Sequence, residues 1–131
     1  MMKYELLNGN NLAYIGDAYY ELYIRKYLID KGITKSNDLR KASIKYVSAT
    51  AHLLIVGKIL ELLDEKELDI FKRGRNNSSV LKTKSARTYS HQQSSGFEAV
   101  IGYCYLLGNH DRLLFLMQKA IEIVAKGEEY E

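Results

Sequence analysis

Asn11-Leu12-Ala13-Tyr14-Ile15-Gly16-Asp17-Ala18-Tyr19-Tyr20-Glu21-Leu22-Tyr23-Ile24, running on to Asp30 and closing at Lys31-Gly32, decides the fold class of this 131-residue chain. Leu12, Ile15, Tyr19, Leu22 and Tyr23 recur at helical spacing, and Gly32 is a natural stop for a helix over about Asn11 to Asp30. The same period continues downstream. Ser36 or Asn37 can cap a second helix that carries Leu39, Ala42, Tyr46 and Val47. Ser48 opens a third with Leu53, Leu54, Val56, Ile59, Leu60 and Leu63. Asp64-Glu65 places negative charge at the start of a fourth, where the helix dipole favours it, and that helix ends near Lys72-Arg73-Gly74.

Residues Arg75 to Ser90 are polar and scattered with cations, and read as a long exposed loop. A fifth helix follows over about Gln93 to Leu107, with Phe97, Val100, Ile101 and Cys104 spaced i, i+3, i+4, i+7; Gly108-Asn109 breaks it. A last helix spans about Asp111 to Ala125. Strand alternation, internal repeats and linkers are absent, and no proline interrupts the pattern. The expectation is an all-α fold, one domain over residues 1–131, of six or seven helices.

The chain is 47% hydrophobic, which excludes global disorder. Its one cysteine, Cys104, excludes an internal disulfide and a cysteine zinc cluster, and reads as a small buried hydrophobe. No signal-peptide pattern and no stretch of membrane-spanning length occurs, so a cytoplasmic protein is expected. The net charge of +3 conceals a segregation. Between Asp69 and Glu98 there is no acid, yet six cations stand there: Lys72, Arg73, Arg75, Lys82, Lys84 and Arg87. With six of the 19 Lys and Arg in that stretch, the remaining 13 face all 16 acids, and the rest of the chain is net negative. A basic segment on an acidic chain points to a polyanion partner.

Two acids are anomalous. Between Leu12 and Ile24 the charged side chains are Asp17 and Glu21. Glu21 has Arg25 one turn on as an ion-pair partner, whereas Asp17 has alanine at position 13. Glu98 is the one acid from Ile70 to Asn109, inside the most apolar helix. Acids in such surroundings need a partner, a metal or a cleft. Two of them on long core helices suit a hard cation that takes few protein carboxylates and keeps its waters, as magnesium does. Of the histidines, His91 is placed to meet phosphate or merely to open a helix; His52 and His110 read as structural or exposed.

Leu12-Ala13-Tyr14-Ile15-Gly16-Asp17-Ala18 resembles the signature of the ribonuclease III family, an apolar-Gly-Asp-Ala run that follows a Glu. Ser95-Gly96-Phe97-Glu98-Ala99-Val100-Ile101-Gly102 resembles that family's second motif, Asp-x-x-Glu-Ala-x-x-Gly. Asp38-Leu39-Arg40 to Val47-Ser48 is similar to its middle helix and cap, and the order holds from about residue 10 to 125. With the Arg73-Gly74-Arg75-Asn76 run and no double-stranded-RNA-binding domain, the chain resembles the mini-ribonuclease III branch.

The resemblance implies a homodimeric, magnesium- or manganese-dependent endoribonuclease that cuts double-stranded RNA to 5′-phosphate and 3′-hydroxyl ends. It implies a substrate in large-subunit (23S) ribosomal RNA precursor. It makes Asp17 and Glu98 the catalytic metal ligands. Ala13 and Ser95 depart from the family, which has a glutamate and an aspartate there, and the Ser95 hydroxyl is expected in an auxiliary role. Lys72, Arg73, Arg75, Lys82, Lys84 and Arg87 are expected to contact RNA through its phosphates. Some of Tyr14, Tyr19, Tyr20, Tyr23 and Tyr27 are expected to meet the partner subunit. Two other readings are a catalytically silent module that binds structured RNA, suggested by Ala13 and Ser95, and an all-α nucleotide phosphohydrolase. The latter has no use for the acid-free basic stretch.

Overall fold

A computed structural model describes residues 2–76 and 86–129 of the chain. Among them are six α-helices: α1 (Gly9–Asp30), α2 (Ser36–Val47), α3 (Ala49–Ile59), α4 (Glu65–Asn76), α5 (Ala86–Leu106) and α6 (His110–Glu129). Short 3₁₀ turns at Tyr4–Leu6 and Leu60–Leu62 precede α1 and α4. The all-α expectation holds. None of the described helices is by itself long and apolar enough to cross a membrane.

Local chemistry sets the helix ends. Asn8 Oδ1 accepts from the Asn11 amide at 2.8 Å to open α1. Gly32 (φ +96°) and Gly108 (φ +72°) take the left-handed conformation behind α1 and α5. In each case the following amide reaches back along the helix, Ile33 N to Leu28 O and Asn109 N to Cys104 O, and so satisfies carbonyls the helix leaves open. Ser48 Oγ accepts from Ala51 N, as its position suggested. Neither Ser36 nor Asn37 caps α2; Lys35 holds the N-cap position without a side-chain bond, because the helix begins at Ser36 itself.

The fourth helix opens on more than a dipole effect. Asp64 Oδ1 accepts from Glu67 N at 2.8 Å while Glu67 Oε1 accepts from Asp64 N at 2.9 Å, a reciprocal capping box. Glu67 is buried and is also gripped by Arg112 of α6 through Nε at 2.8 Å and Nη2 at 2.7 Å. The same guanidinium bonds the Leu62 carbonyl. Cys104 is buried beside Glu67, as expected of an apolar-face cysteine, and burial foremost pushes its thiol up to about 12.

Helix α5 runs through the middle, packing on α1, α4, α3 and α6, and contributes Phe97, Ala99, Val100, Ile101 and Cys104 to the core. Its approach to α1 is set by two glycines. A Cβ on Gly16 would lie 1.7 Å from the Glu98 carbonyl oxygen, and one on Gly102 would lie 2.0 Å from that of Leu12. Gly74 of α4 also lies close to α5, where a Cβ would come 2.6 Å from Ala99 Cβ and 2.7 Å from the Ser95 carbonyl.

One expectation needs correction. The stretch Arg75 to Ser90 is not one long loop: α4 continues through Asn76 and α5 already begins at Ala86. Polar composition does not forbid helix, and a helix anchored by an apolar face propagates into polar flanks at little cost per residue. Residues 77–85, with Lys82 and Lys84, lie outside the described residues, as does the side chain of Arg87.

The glycine contacts yield a direct comparison. Gly16→Ala and Gly102→Ala should each destabilise the fold by about 3 kcal/mol, the upper part of the usual range for overpacking. Gly57→Ala on the exposed face of α3, where a Cβ meets nothing within 4 Å, should stabilise it by about 0.5–1 kcal/mol. Chemical denaturation of the three variants checks both signs.

Candidate active site

Asp17 follows Gly16 directly, and Gly16 rests on the backbone of Glu98. The crossing of α1 and α5 therefore delivers both carboxyls to one place, where they share a hydrogen bond. Asp17 lies on the exposed side and Glu98 is half-buried between the helices. Burial, then the bond to Asp17, then the charges of Asp17 and Glu21 raise Glu98 from its ordinary 4.5 to about 9. Two carboxyls so placed hold a proton between them at neutral pH. A divalent cation answers the same frustration with more charge, and oxygen donors suit magnesium or manganese. Among the described residues no group of three or more His, Cys, Asp or Glu side chains is gathered for a metal. The two carboxyls by themselves would make a partial ligand set, of the kind a hydrated cation accepts.

Glu21, one turn after Asp17, makes the expected ion pair with Arg25 at 3.1 Å, and its charge also reaches Glu98. Ala13 is half-buried against the core. Ser95 lies one turn before Glu98, is buried, and turns its carbonyl to Gly74 of α4. It therefore takes part in helix packing as well as standing near the site.

The basic cluster divides. Lys72 is exposed in the last turns of α4, and Arg75 is half-exposed with Nε on Asn76 Oδ1 at 3.1 Å. Arg73 is engaged elsewhere: it donates to the carbonyls of Glu5 at 2.6 Å and Leu7 at 3.1 Å and pairs with Asp69 at 3.1 Å. It ties the N-terminal segment to α4. His91 and His110 are exposed on α5 and at the start of α6.

His52, read from sequence as structural or exposed, is buried on α3. Its Nδ1 shares a hydrogen bond with Ser94 Oγ of α5. Burial lowers its pKa to about 4, against an opposing pull from the Asp17 charge. One signal was available: Ala51, His52, Ile55, Val56 and Ile59 form a single helical stripe, and a polar group on an apolar stripe requires a partner. Tyr20, one of the five α1 tyrosines of which some were expected at a partner subunit, belongs to the core. It is fully buried, and its hydroxyl donates to the Tyr46 carbonyl at 2.6 Å. Of the five tyrosines on α1, Tyr14 alone is largely exposed, at 79%; Tyr19 stacks on Tyr23 and Tyr105, and Tyr27 meets Tyr46.

Comparison with known proteins adds a family. Residues 10–109 match the model of the Ribonuclease III domain. The chain is 45% identical over 126 residues to the Mini-ribonuclease 3 of Streptococcus pneumoniae, covering 95% of this chain and 98% of that protein. It is 39% identical over 117 residues to that of Symbiobacterium thermophilum, covering 89% and 90%. A crystal structure of protein FN1578 from Fusobacterium nucleatum superposes with a TM-score of 0.77 at 32% identity, over 94% of this chain and 95% of that one.

The raised pKa of Glu98 has a measurable consequence in cation-free buffer. Between pH 4.5 and about 9 the folded protein holds a proton that the unfolded chain has released, so stability falls as pH rises through that window. Glu98→Gln should flatten this dependence and melt above the parent at pH 8 in the presence of a chelator. Thermal denaturation across the pH range measures it.

Proposed function

Because this chain belongs to the ribonuclease III family, whose members act as endoribonucleases on double-stranded RNA, we propose that Asp17 and Glu98 form its catalytic metal site. The activity is magnesium-dependent cleavage of duplex RNA, leaving 5′-phosphate and 3′-hydroxyl ends. The observation that carries this reading is the convergence of the two carboxyls at the α1–α5 crossing, on the two motifs that match the family.

When bound, a divalent cation supplies an activated water and neutralises charge developing on the phosphate oxygens. The chain's own residues do the rest. The contact with Gly16 fixes the backbone of Glu98, and its half-buried carboxyl is held beside Asp17 by their hydrogen bond. Asp17, on the open side of the pair, is accessible to a phosphate of the RNA. Water adds to the phosphorus, the bond to the 3′-oxygen breaks, and that oxygen leaves as a hydroxyl after taking up a proton. Ser95, one turn from Glu98, is the auxiliary hydroxyl of the site.

The basic end of α4 packs on α5 at Ser95 and Ala99, the two residues that bracket Glu98. Lys72 and Arg75 lie on this end of α4 with exposed or half-exposed side chains, suited to phosphates across a duplex. Lys82, Lys84 and Arg87 follow in sequence and extend this RNA-binding role. Arg73 contributes through the N-terminal segment it anchors. The enzyme works as a homodimer in the cytoplasm on large-subunit ribosomal RNA precursor. Exposed Tyr14 and Met2, which line one shallow surface depression with half-buried Tyr4, Leu7 and Ile15, support an isologous apolar face.

Asp17→Asn and Glu98→Gln should each slow duplex RNA cleavage in magnesium by about a hundredfold or more, equivalent to several kcal/mol of lost transition-state stabilisation. Gel assays of end-labelled duplex check this; full activity in either variant overturns the site, and no cutting by the parent favours a binding module.

Replacing Lys72, Arg75, Lys82, Lys84 and Arg87 by alanine should weaken duplex binding and flatten its salt dependence, by roughly 0.7–0.9 in log–log slope for each phosphate no longer neutralised. Titrations at several salt concentrations measure it.

A further inference from the structure

His52 is a buried polar residue that this chemistry leaves unused. Its ring is edge-on to Tyr20, with centroids 5.1 Å apart at 84°, and stands 5.5 Å from the ring of Phe97. Tyr20 and Phe97 also meet each other edge to face at 5.4 Å. Tyr20 lies three residues after Asp17 on α1, and Phe97 immediately precedes Glu98 on α5. The imidazole is therefore wedged between the two helices that carry the carboxylates, at the level of both. Ser94 of α5 holds it through Nδ1. Its other nitrogen, Nε2, is the one buried side-chain nitrogen or oxygen without a hydrogen-bond partner among the described residues. Buried polar groups left unpaired are rare, and a native core retains one where a water or a functional group completes it.

We propose that His52 is a positioning residue for the carboxylate pair: Ser94 fixes the ring through Nδ1, and Nε2 offers its hydrogen bond, through one water, to Asp17. The inference rests on the reading of Asp17 and Glu98 as the catalytic site. The Asp17 charge is felt at the ring, which places the two in the same electrostatic neighbourhood. The imidazole is neutral at physiological pH, so it orients a carboxylate without adding a positive charge that competes with the cation. Positioning of this kind, through groups behind the ligands, tunes metal sites generally.

Asparagine and glutamine separate the two ring nitrogens. The Asn amide reaches the place of Nδ1 and preserves the Ser94 bond; the Gln amide reaches the place of Nε2. The experiment compares the parent, His52→Ala, His52→Asn, His52→Gln and Glu98→Gln in two measurements: duplex cleavage kinetics in magnesium, and calorimetric titration of manganese into the RNA-free protein. His52→Ala and His52→Asn should lower kcat about tenfold at unchanged KM and weaken manganese binding by a similar factor, while His52→Gln recovers most of both. Parent-like kcat and manganese affinity in His52→Asn would reduce His52 to a Ser94 anchor and overturn the proposal. So would parent-like values in His52→Ala accompanied by a lower melting temperature, which would mark a packing role. Should the alanine variant fail to fold, the Asn and Gln variants, closer in size to histidine, carry the comparison. Parent-like cutting by Glu98→Gln would instead signal failure of the underlying active-site reading.

Discussion

Backbone-to-backbone contact between α1 and α5 governs this molecule. Gly16 sits on the carbonyl of Glu98 and Gly102 on the carbonyl of Leu12, at distances no Cβ permits. Helices with ordinary side chains at the contact pack at interaxial distances of about 8–10 Å, and a pair of glycines allows a closer approach. The closeness brings together two carboxyls that longer spacing would leave apart. It also leaves α5 central, with α3, α4 and α6 arranged around it.

That arrangement carries an electrostatic cost, which is informative. Glu98 is held at about 9 by burial and by its neighbour, so the cation-free fold is poised against its own charge. A protein optimised for stability alone would separate the two acids or replace one of them. Perturbed carboxyls paired at a helix crossing are the kind of arrangement found at functional sites, which is why the proposed site is placed there.

Elsewhere, polar groups serve architecture. Glu67 caps its own helix and is paired with Arg112, which in turn bonds the Leu62 carbonyl. The cluster ties α4 to α6 and to the turn between α3 and α4. Buried pairs of this kind are weak contributors to net stability, yet removing one partner strands the other charge. Arg73 plays a comparable part at the surface, holding the N-terminal segment against α4 through two carbonyls. Both arginines show that a cation's position in sequence does not reveal its task.

Much of this was legible in the chain itself. Helical periodicity, Gly32 and Gly108, and the Ser48 cap are local signals, and they set the number, order and approximate ends of the helices. Asp17 and Glu98 stood out because each is an acid in apolar surroundings with no partner in helical register. The capping of α2, the extent of the helices flanking residues 77–85, and the roles of Arg73, Tyr20 and His52 were not legible. Each depends on contacts between residues far apart in sequence: Arg73 with Glu5, Tyr20 with Tyr46, His52 with Ser94, or on how far an anchored helix propagates. Residue type and spacing determine local conformation and advertise chemical oddity. Only the tertiary crossing of α1 on α5 decided that the two odd acids meet, because their contact depends on how closely two helices approach and not on either helix alone.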